Sequence, residues 1–156
     1  MSVLLEMYHA AQACASVYLT LLSAIAIYNL HQWEPQTESA SRYSNTAARQ
    51  LHKTRTTQAS GVLATLSSLV SSVILVVAVS SGRNTKPFLL SAANAGGLFL
   101  AYNHIGDFWR SRATVPLASR YNEGIRSTQQ MLQALGVLTA SWAASTVIYL
   151  FRAIMY

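Results

Sequence analysis

Thr56–Gly82 reads TTQASGVLATLSSLVSSVILVVAVSSG, and no Asp, Glu, Lys or Arg interrupts it. Its centre, Val62–Val79, is built from Val, Leu, Ile and Ala with interspersed Ser and Thr. A helix that crosses a bilayer needs about 20 mostly apolar residues, because the hydrocarbon layer is about 30 Å thick. The stretch therefore reads as a membrane-spanning helix. Three further charge-free runs lie on either side of it. They are Met7–Trp33, with its apolar centre at Ala10–Leu30; Pro87–Gly106, the most polar of the set; and Ser127–Phe151. Nearly every charged residue falls between the runs.

Composition supports the same reading. Hydrophobic residues make up 52% of the 156-residue chain and charged residues 10%, against about a quarter charged in an ordinary soluble domain. The low charge argues against a soluble globule, and the hydrophobicity argues against disorder. Four buried helices of a soluble core would not segregate charge this completely. The expected fold is all-α: a single domain, residues 1–156, forming an integral membrane bundle of four transmembrane helices with up-down topology. The expected spans are about 10–30, 59–82, 87–106 and 127–151. A polar loop is expected at about 32–55 and a basic loop at about 107–126. The first run reads as a retained span, since Glu6 precedes it where a signal peptide carries positive charge.

Charge placement predicts orientation. Arg42, Arg49, Lys53, Arg55, Arg110, Arg112, Arg120 and Arg126 fall in the first and third connections, whereas Arg83, Lys86 and Arg152 fall on the opposite side. The positive-inside rule then puts loops 1 and 3 in the cytosol and both termini in a lumen or the exterior, in an endomembrane or the plasma membrane. The four-residue segment Arg83–Lys86 predicts a tight hairpin between spans two and three. The expected partners are the lipid bilayer and a hydrophobic small molecule. The net charge of +6 is accounted for by topology and lipid headgroups, so no nucleic acid is expected.

Small residues at four-residue spacing let helices approach closely in lipid. Ala64, Ser68 and Ser72 form one such stripe, Ala92 and Gly96 with Gly97 and Ala101 a second, and Gly136, Ala140 and Ala144 a third. They serve packing within the bundle, or an interface with a second copy or a partner membrane protein.

Polar side chains at the bilayer edge are costly, which makes them the candidates for function. His104 and Asp107 are spaced i, i+3, so a carboxylate can orient an imidazole as general-base catalysis requires. They are the candidate catalytic residues. Arg49, His52 and Arg55, entering the second span, and Asn103 and Arg110, around the third connection, are the candidate substrate-binding residues. The alternative for these groups is a snorkelling basic collar and hydrogen-bonded helix packing. Asn94 is the most deeply placed amide and must find a partner within the bundle. Glu6, His9 and Gln12 form a weaker cluster on the opposite side. The lone Cys14 reads as an apolar filler, and the four histidines are scattered, so neither metal nor cofactor is expected.

The layout resembles two families. A basic segment Arg49–Arg55 before span two, with Phe108–Trp109–Arg110–Ser111–Arg112 after span three, is similar to the membrane-associated eicosanoid and glutathione metabolism family. That family's Asn and Glu, four and seven residues after its Arg, correspond here to Ala59 and Val62, so the residues that would hold glutathione are missing. The long polar first loop, the short second loop, Asn103 and Trp109–Arg110 resemble small fungal four-span membrane proteins of secondary-metabolite pathways, anthrone-oxygenase-like proteins among them. That resemblance implies a role in handling a hydrophobic polyketide. Two functions are expected on these grounds. One is an enzyme or accessory factor acting on a lipophilic small molecule. The other is a non-catalytic subunit, assembly or trafficking factor. With no charge at any span centre, a proton-coupled transporter ranks below both.

Overall fold

The computed structural model describes residues 2–81 and 86–155. Within them the chain is four helices: α1 Ser2–Ser41, α2 Asn45–Ser80, α3 Pro87–Trp109 and α4 Ser119–Met155. At 1.5 Å per residue, α1, α2 and α4 are each about 55–60 Å long and α3 about 35 Å. Three helices, α1, α2 and α4, are long and apolar enough to cross a membrane. The third expected span is present as a helix, but Asn94, Gly96, Gly97, Asn103 and His104 dilute its apolar content. The expected hairpin at Arg83–Lys86 falls largely outside the described residues.

The contacts establish an up-down arrangement. Tyr8 of α1 meets Ser141 of α4, whereas Trp33 at the other end of α1 meets Tyr121. Ser16 meets Ser68, and Glu34 meets Arg55, so α1 and α2 are antiparallel. Asn94 meets Ser71 while Trp109 meets Thr57, which runs α3 against α2. Each helix packs along both of its neighbours in a four-sided ring, with α1 opposite α3 and α2 opposite α4. The core is filled by Leu19, Leu75, Leu98, Ile105, Met131, Leu135 and Trp142.

The expected polar loop at about 32–55 is helical instead. α1 continues through Pro35 to Ser41, and α2 starts at Asn45, leaving a turn at 42–44. Ser44 is extended (φ −143°, ψ 116°) and its hydroxyl accepts from the Ala47 N–H, capping α2. The extensions are held by an inward stripe: Leu30, Trp33 and Thr37 on one helix, Leu51, Thr54 and Gln58 on the other. Polar composition alone read as loop because only one face in three is buried. The expected basic loop at about 107–126 is likewise shorter, since α3 runs to Trp109 and α4 starts at Ser119. Asn122 ties this connection down, accepting from the Val115 N–H and donating to its carbonyl (2.8 and 2.9 Å). Leu117, at φ 66°, turns the chain there.

The small-residue stripes divide. Ser68, Ser71 and Ser72 are buried, and Gly136 lies against the Tyr102 ring. Gly96, Gly97, Ala140 and Ala144 face outward. Gly124 allows the closest approach: a Cβ there would lie 2.7 Å from Leu30 Cγ.

Candidate functional site

Two polar constellations lie at opposite ends of the bundle. At the end formed by the start of α1 and the end of α4, His9 is fully buried. Its Nδ1 lies 2.7 Å from Gln12 Oε1 and its Nε2 2.7 Å from the Tyr149 hydroxyl. The directions of these bonds follow from their neighbours. Ser145 spends its proton on the Ser141 carbonyl, so it accepts from Gln12 Nε2. Gln12 Oε1 is then the acceptor, His9 carries its proton on Nδ1, and Tyr149 donates to Nε2. A second line is equally determined. Trp142 Nε1 donates to Ser68 Oγ (2.7 Å), Ser68 donates to Ser16 Oγ (2.8 Å), and Ser16 donates to the Gln12 carbonyl (2.8 Å). The network links α1, α2 and α4, and these atoms all have partners. In lipid such bonds lock helices together. Nothing in the sequence points to the His9–Tyr149 bond: Glu6 offers His9 an i, i+3 partner nearer at hand, and Tyr149 is 140 residues away.

At the other end a cavity of about 370 Å³ opens between α1, α2 and α4. Its volume falls within the range of small-molecule sites. Ile27, Leu30, Trp33, Leu51, Ala59 and Tyr121 give it apolar and aromatic walls, with the Trp33 and Tyr121 rings 5.8 Å apart. Its polar lining is concentrated in His31, Glu34, Arg55 and Gln58, with Thr37 and Thr54. Glu34 is the hub. One carboxylate oxygen accepts from His31 Nδ1 at 2.7 Å and the other pairs with Arg55 Nε, while the Glu34 side chain is only 16% exposed. Burial pushes the Glu34 carboxyl up, but the hydrogen bonds and charges of Arg55 and His31 outweigh it and hold the group below the usual carboxylate range. A carboxylate can only accept, so His31 Nδ1 donates and, in the neutral ring, Nε2 is left as the acceptor.

Gln58 lies three residues beyond Arg55 on α2, about one turn deeper in the bundle. It is 6% exposed. Its Nε2 donates to Thr128 Oγ1 (3.2 Å), and Thr128 has already given its proton to the Gly124 carbonyl (2.8 Å). Gln58 Oε1 is sealed within the bundle and has no hydrogen-bond partner among the described residues.

Of the candidates named from sequence, Arg55 alone lines this cavity. Arg49 and His52 are exposed on the outer face of α2. His104 and Asp107 are both exposed, and no hydrogen bond joins them among the described residues. His104 borders a shallow apolar groove between α2 and α3, beside Gly97 and Leu100. Asn103 donates to the Phe99 carbonyl of its own helix. Arg110 lies over the Tyr102 ring, 4.8 Å from its centroid. Asn94 finds its partners on α2, donating to Ser71 Oγ (2.8 Å) and accepting from Ser67 (3.4 Å). The imidazole–carboxylate pairing expected at 104 and 107 occurs at His31 and Glu34, which share the i, i+3 spacing. That spacing was visible in the sequence; what was not visible is that the segment is helical and that Arg55 folds back onto it. Among the described residues no group of three or more His, Cys, Asp or Glu side chains is placed to hold a metal ion. No protein-family model, curated protein or solved structure matches the chain.

Proposed function

We propose that this chain is a four-span integral membrane protein that binds a lipophilic small molecule between α1, α2 and α4, and acts on it as an enzyme or as a pathway accessory factor. In this reading α3 is carried across the bilayer by its neighbours, with Asn94 satisfied by Ser71 and Ser67. The Arg- and Lys-rich end, which holds the cavity, faces the cytosol. The observation that carries the reading is the cavity itself: apolar and aromatic walls that suit a lipophilic molecule, with His31, Glu34, Arg55 and Gln58 in its polar lining. Glu34 orients His31 and would stabilise the imidazolium formed when Nε2 takes a proton, and Arg55 holds the Glu34 carboxylate in place for that role. The layout resemblance extends the proposal to hydrophobic secondary metabolites as the compounds handled.

A second reading, a non-catalytic subunit or assembly factor, is supported by the outward-facing Gly96, Gly97, Ala140 and Ala144, which would let another membrane helix approach. A comparison of lipid-soluble metabolites in cells with and without the gene separates the two. On the first reading one compound accumulates on deletion; wild type and a His104→Ala, Asp107→Ala variant clear it, and His31→Ala does not. Unchanged metabolites, or full rescue by inserted and folded His31→Ala, would refute the first reading.

A further inference from the structure

We infer that the groove between α2 and α3 seats an acyl chain of an anionic phospholipid, whose phosphate is held between Lys53 and Arg112. The inference rests on the bilayer placement proposed above and is independent of the cavity between α1, α2 and α4. The groove has a volume of about 430 Å³ and is lined by Leu63 and Ala64 of α2 and by Gly97 and Leu100 of α3, with Ser60 and His104 at one end. Ser60–Ser67 and Gly97–His104 each advance about 10 Å along a helix axis, a third of the hydrocarbon layer. Ser60 donates to the Thr57 carbonyl of its own helix and Ser67 donates to Asn94 Oδ1. What the groove offers a chain is therefore mainly apolar contact.

Cations continue this groove toward the basic end of the bundle. Positions 49, 53, 56, 60, 63 and 67 recur at intervals of three and four, so Arg49, Lys53 and Thr56 extend the face of α2 that borders the groove. Lys53 lies seven residues from Ser60, about 10 Å along the axis, which brings its ammonium to the headgroup layer. Arg112 is fixed over the same seam. Its guanidinium carbon lies 4.2 Å from the centroid of the Phe108 ring, and Nη1 donates to Gln50 Oε1 on α2 at 3.1 Å. That bond uses one of five N–H donors, and Gln50 is about one turn from Lys53. Among the described residues neither Lys53 nor Arg112 is ion-paired; the ion pairs there join Glu34 to His31 and to Arg55. α2 carries no carboxylate and α3 only Asp107, so with Arg49, Lys53 and Arg112 the seam stays positive. This charge decides the occupant. A second apolar helix would cover the groove and leave the cations unmatched, and a free anion would meet the cations and leave the groove bare. An anionic phospholipid satisfies both.

The test uses the full-length protein in phosphatidylcholine nanodiscs doped with phosphatidylglycerol or phosphatidylcholine that carries a diazirine in one acyl chain. Labelled residues are read by mass spectrometry, and circular dichroism checks that each variant keeps its helices. The phosphatidylglycerol probe is expected to label the groove walls at least about fivefold more than the phosphatidylcholine probe, the effect of one basic side chain on an anionic headgroup. On the outer faces of α1 and α4 the two probes should label equally. The double variant Lys53→Gln, Arg112→Gln should bring the probes level in the groove. Arg120→Gln, which removes a cation from the same end of the bundle but away from the seam, should keep the preference. Gly97→Leu, whose Cβ would meet no atom within 4 Å, should block both probes at the groove. Equal groove labelling by the two probes in the wild-type protein, or a preference that Arg120→Gln lowers as much as the double variant does, would overturn the inference. A groove left unlabelled while α1 and α4 are labelled would overturn it too, assigning the groove to another helix, with the bilayer placement left standing. Labelling of no helix by either probe would overturn the bilayer placement as well.

Discussion

The His9–Tyr149 contact lends itself to a quantitative test of what holds the bundle together. Both side chains are buried, their rings stack 5.8 Å apart at an interplanar angle of 2°, and Tyr149 donates to His9 Nε2 at 2.7 Å. Tyr149→Phe removes the hydroxyl and keeps the stacked ring, leaving Nε2 without a donor. An unmet buried acceptor costs about 1–3 kcal/mol, while single interhelical polar contacts in membranes average about 0.6 and reach about 1.7 kcal/mol in double-mutant cycles. The expected loss is therefore about 1–2 kcal/mol. His9→Ala loses the same bond, orphans Gln12 Oε1 and opens a cavity beside Trp142, at about 2–4 kcal/mol. In the double variant the Tyr149 hydroxyl no longer has a histidine to serve, so its removal should cost less than about 0.5 kcal/mol. The coupling is then about 1 kcal/mol. Reversible unfolding in mixed micelles with increasing SDS, followed by helical circular dichroism, measures all four proteins. Additive losses would refute the claim that this bond stabilises the bundle and reduce His9 to a space-filling ring.

Two further outcomes follow from close packing and from charge. Gly124→Ala places a Cβ 2.7 Å from Leu30 Cγ and 2.8 Å from its Cδ2, and should destabilise the bundle by about 1–3 kcal/mol in the same assay; Gly61→Ala, which meets the flexible end of Met131 at 3.1 Å, should cost less. Because the Glu34 carboxyl is held below its ordinary value of 4.5, its contribution is complete above that pH and is lost as pH falls through the lower value of the folded protein. Trp33 emission should therefore change on acidification in the wild-type protein and not in Glu34→Gln, and an identical acid response in the two would refute the pairing.

How much of this was legible from sequence depends on the range of each interaction. The helices were legible because charge exclusion is a local property of about 20 consecutive residues, and Asn94 was recognisable as needing a partner because a buried amide always does. The ends were not. Gln32–Ser41 and Asn45–Arg55 are polar on most of their surface, and only the spacing of Leu30, Trp33 and Thr37 against Leu51, Thr54 and Gln58 carries them on as helices. His104 and Asp107 have the same i, i+3 spacing as His31 and Glu34, and spacing cannot say which pair turns inward. That choice is made by Arg55, 21 residues from Glu34, and by the departure of α3 at Trp109, which leaves α1, α2 and α4 to enclose the cavity without it. The directed bonds at His9 depend likewise on Tyr149, Ser141 and Ser145, all more than 120 residues away.

The contrast between the two ends bears on function. Both are built from the same vocabulary, an imidazole with an acceptor three residues on, contacts from α2 or α4 and an amide, yet they are completed differently. Around His9, donors and acceptors are matched: Gln12, Tyr149, Ser141, Ser145, Ser16, Ser68 and Trp142 consume one another's hydrogen bonds, and a ligand could enter only by breaking a bond already made. At the cavity, the hydrogen bond His31 makes to Glu34 leaves the Nε2 of the neutral ring free to accept. A ligand donor can meet His31 Nε2 without breaking any hydrogen bond already made. The end that is complete can only hold the bundle together, and the end that is incomplete is where chemistry with a second molecule has something to gain.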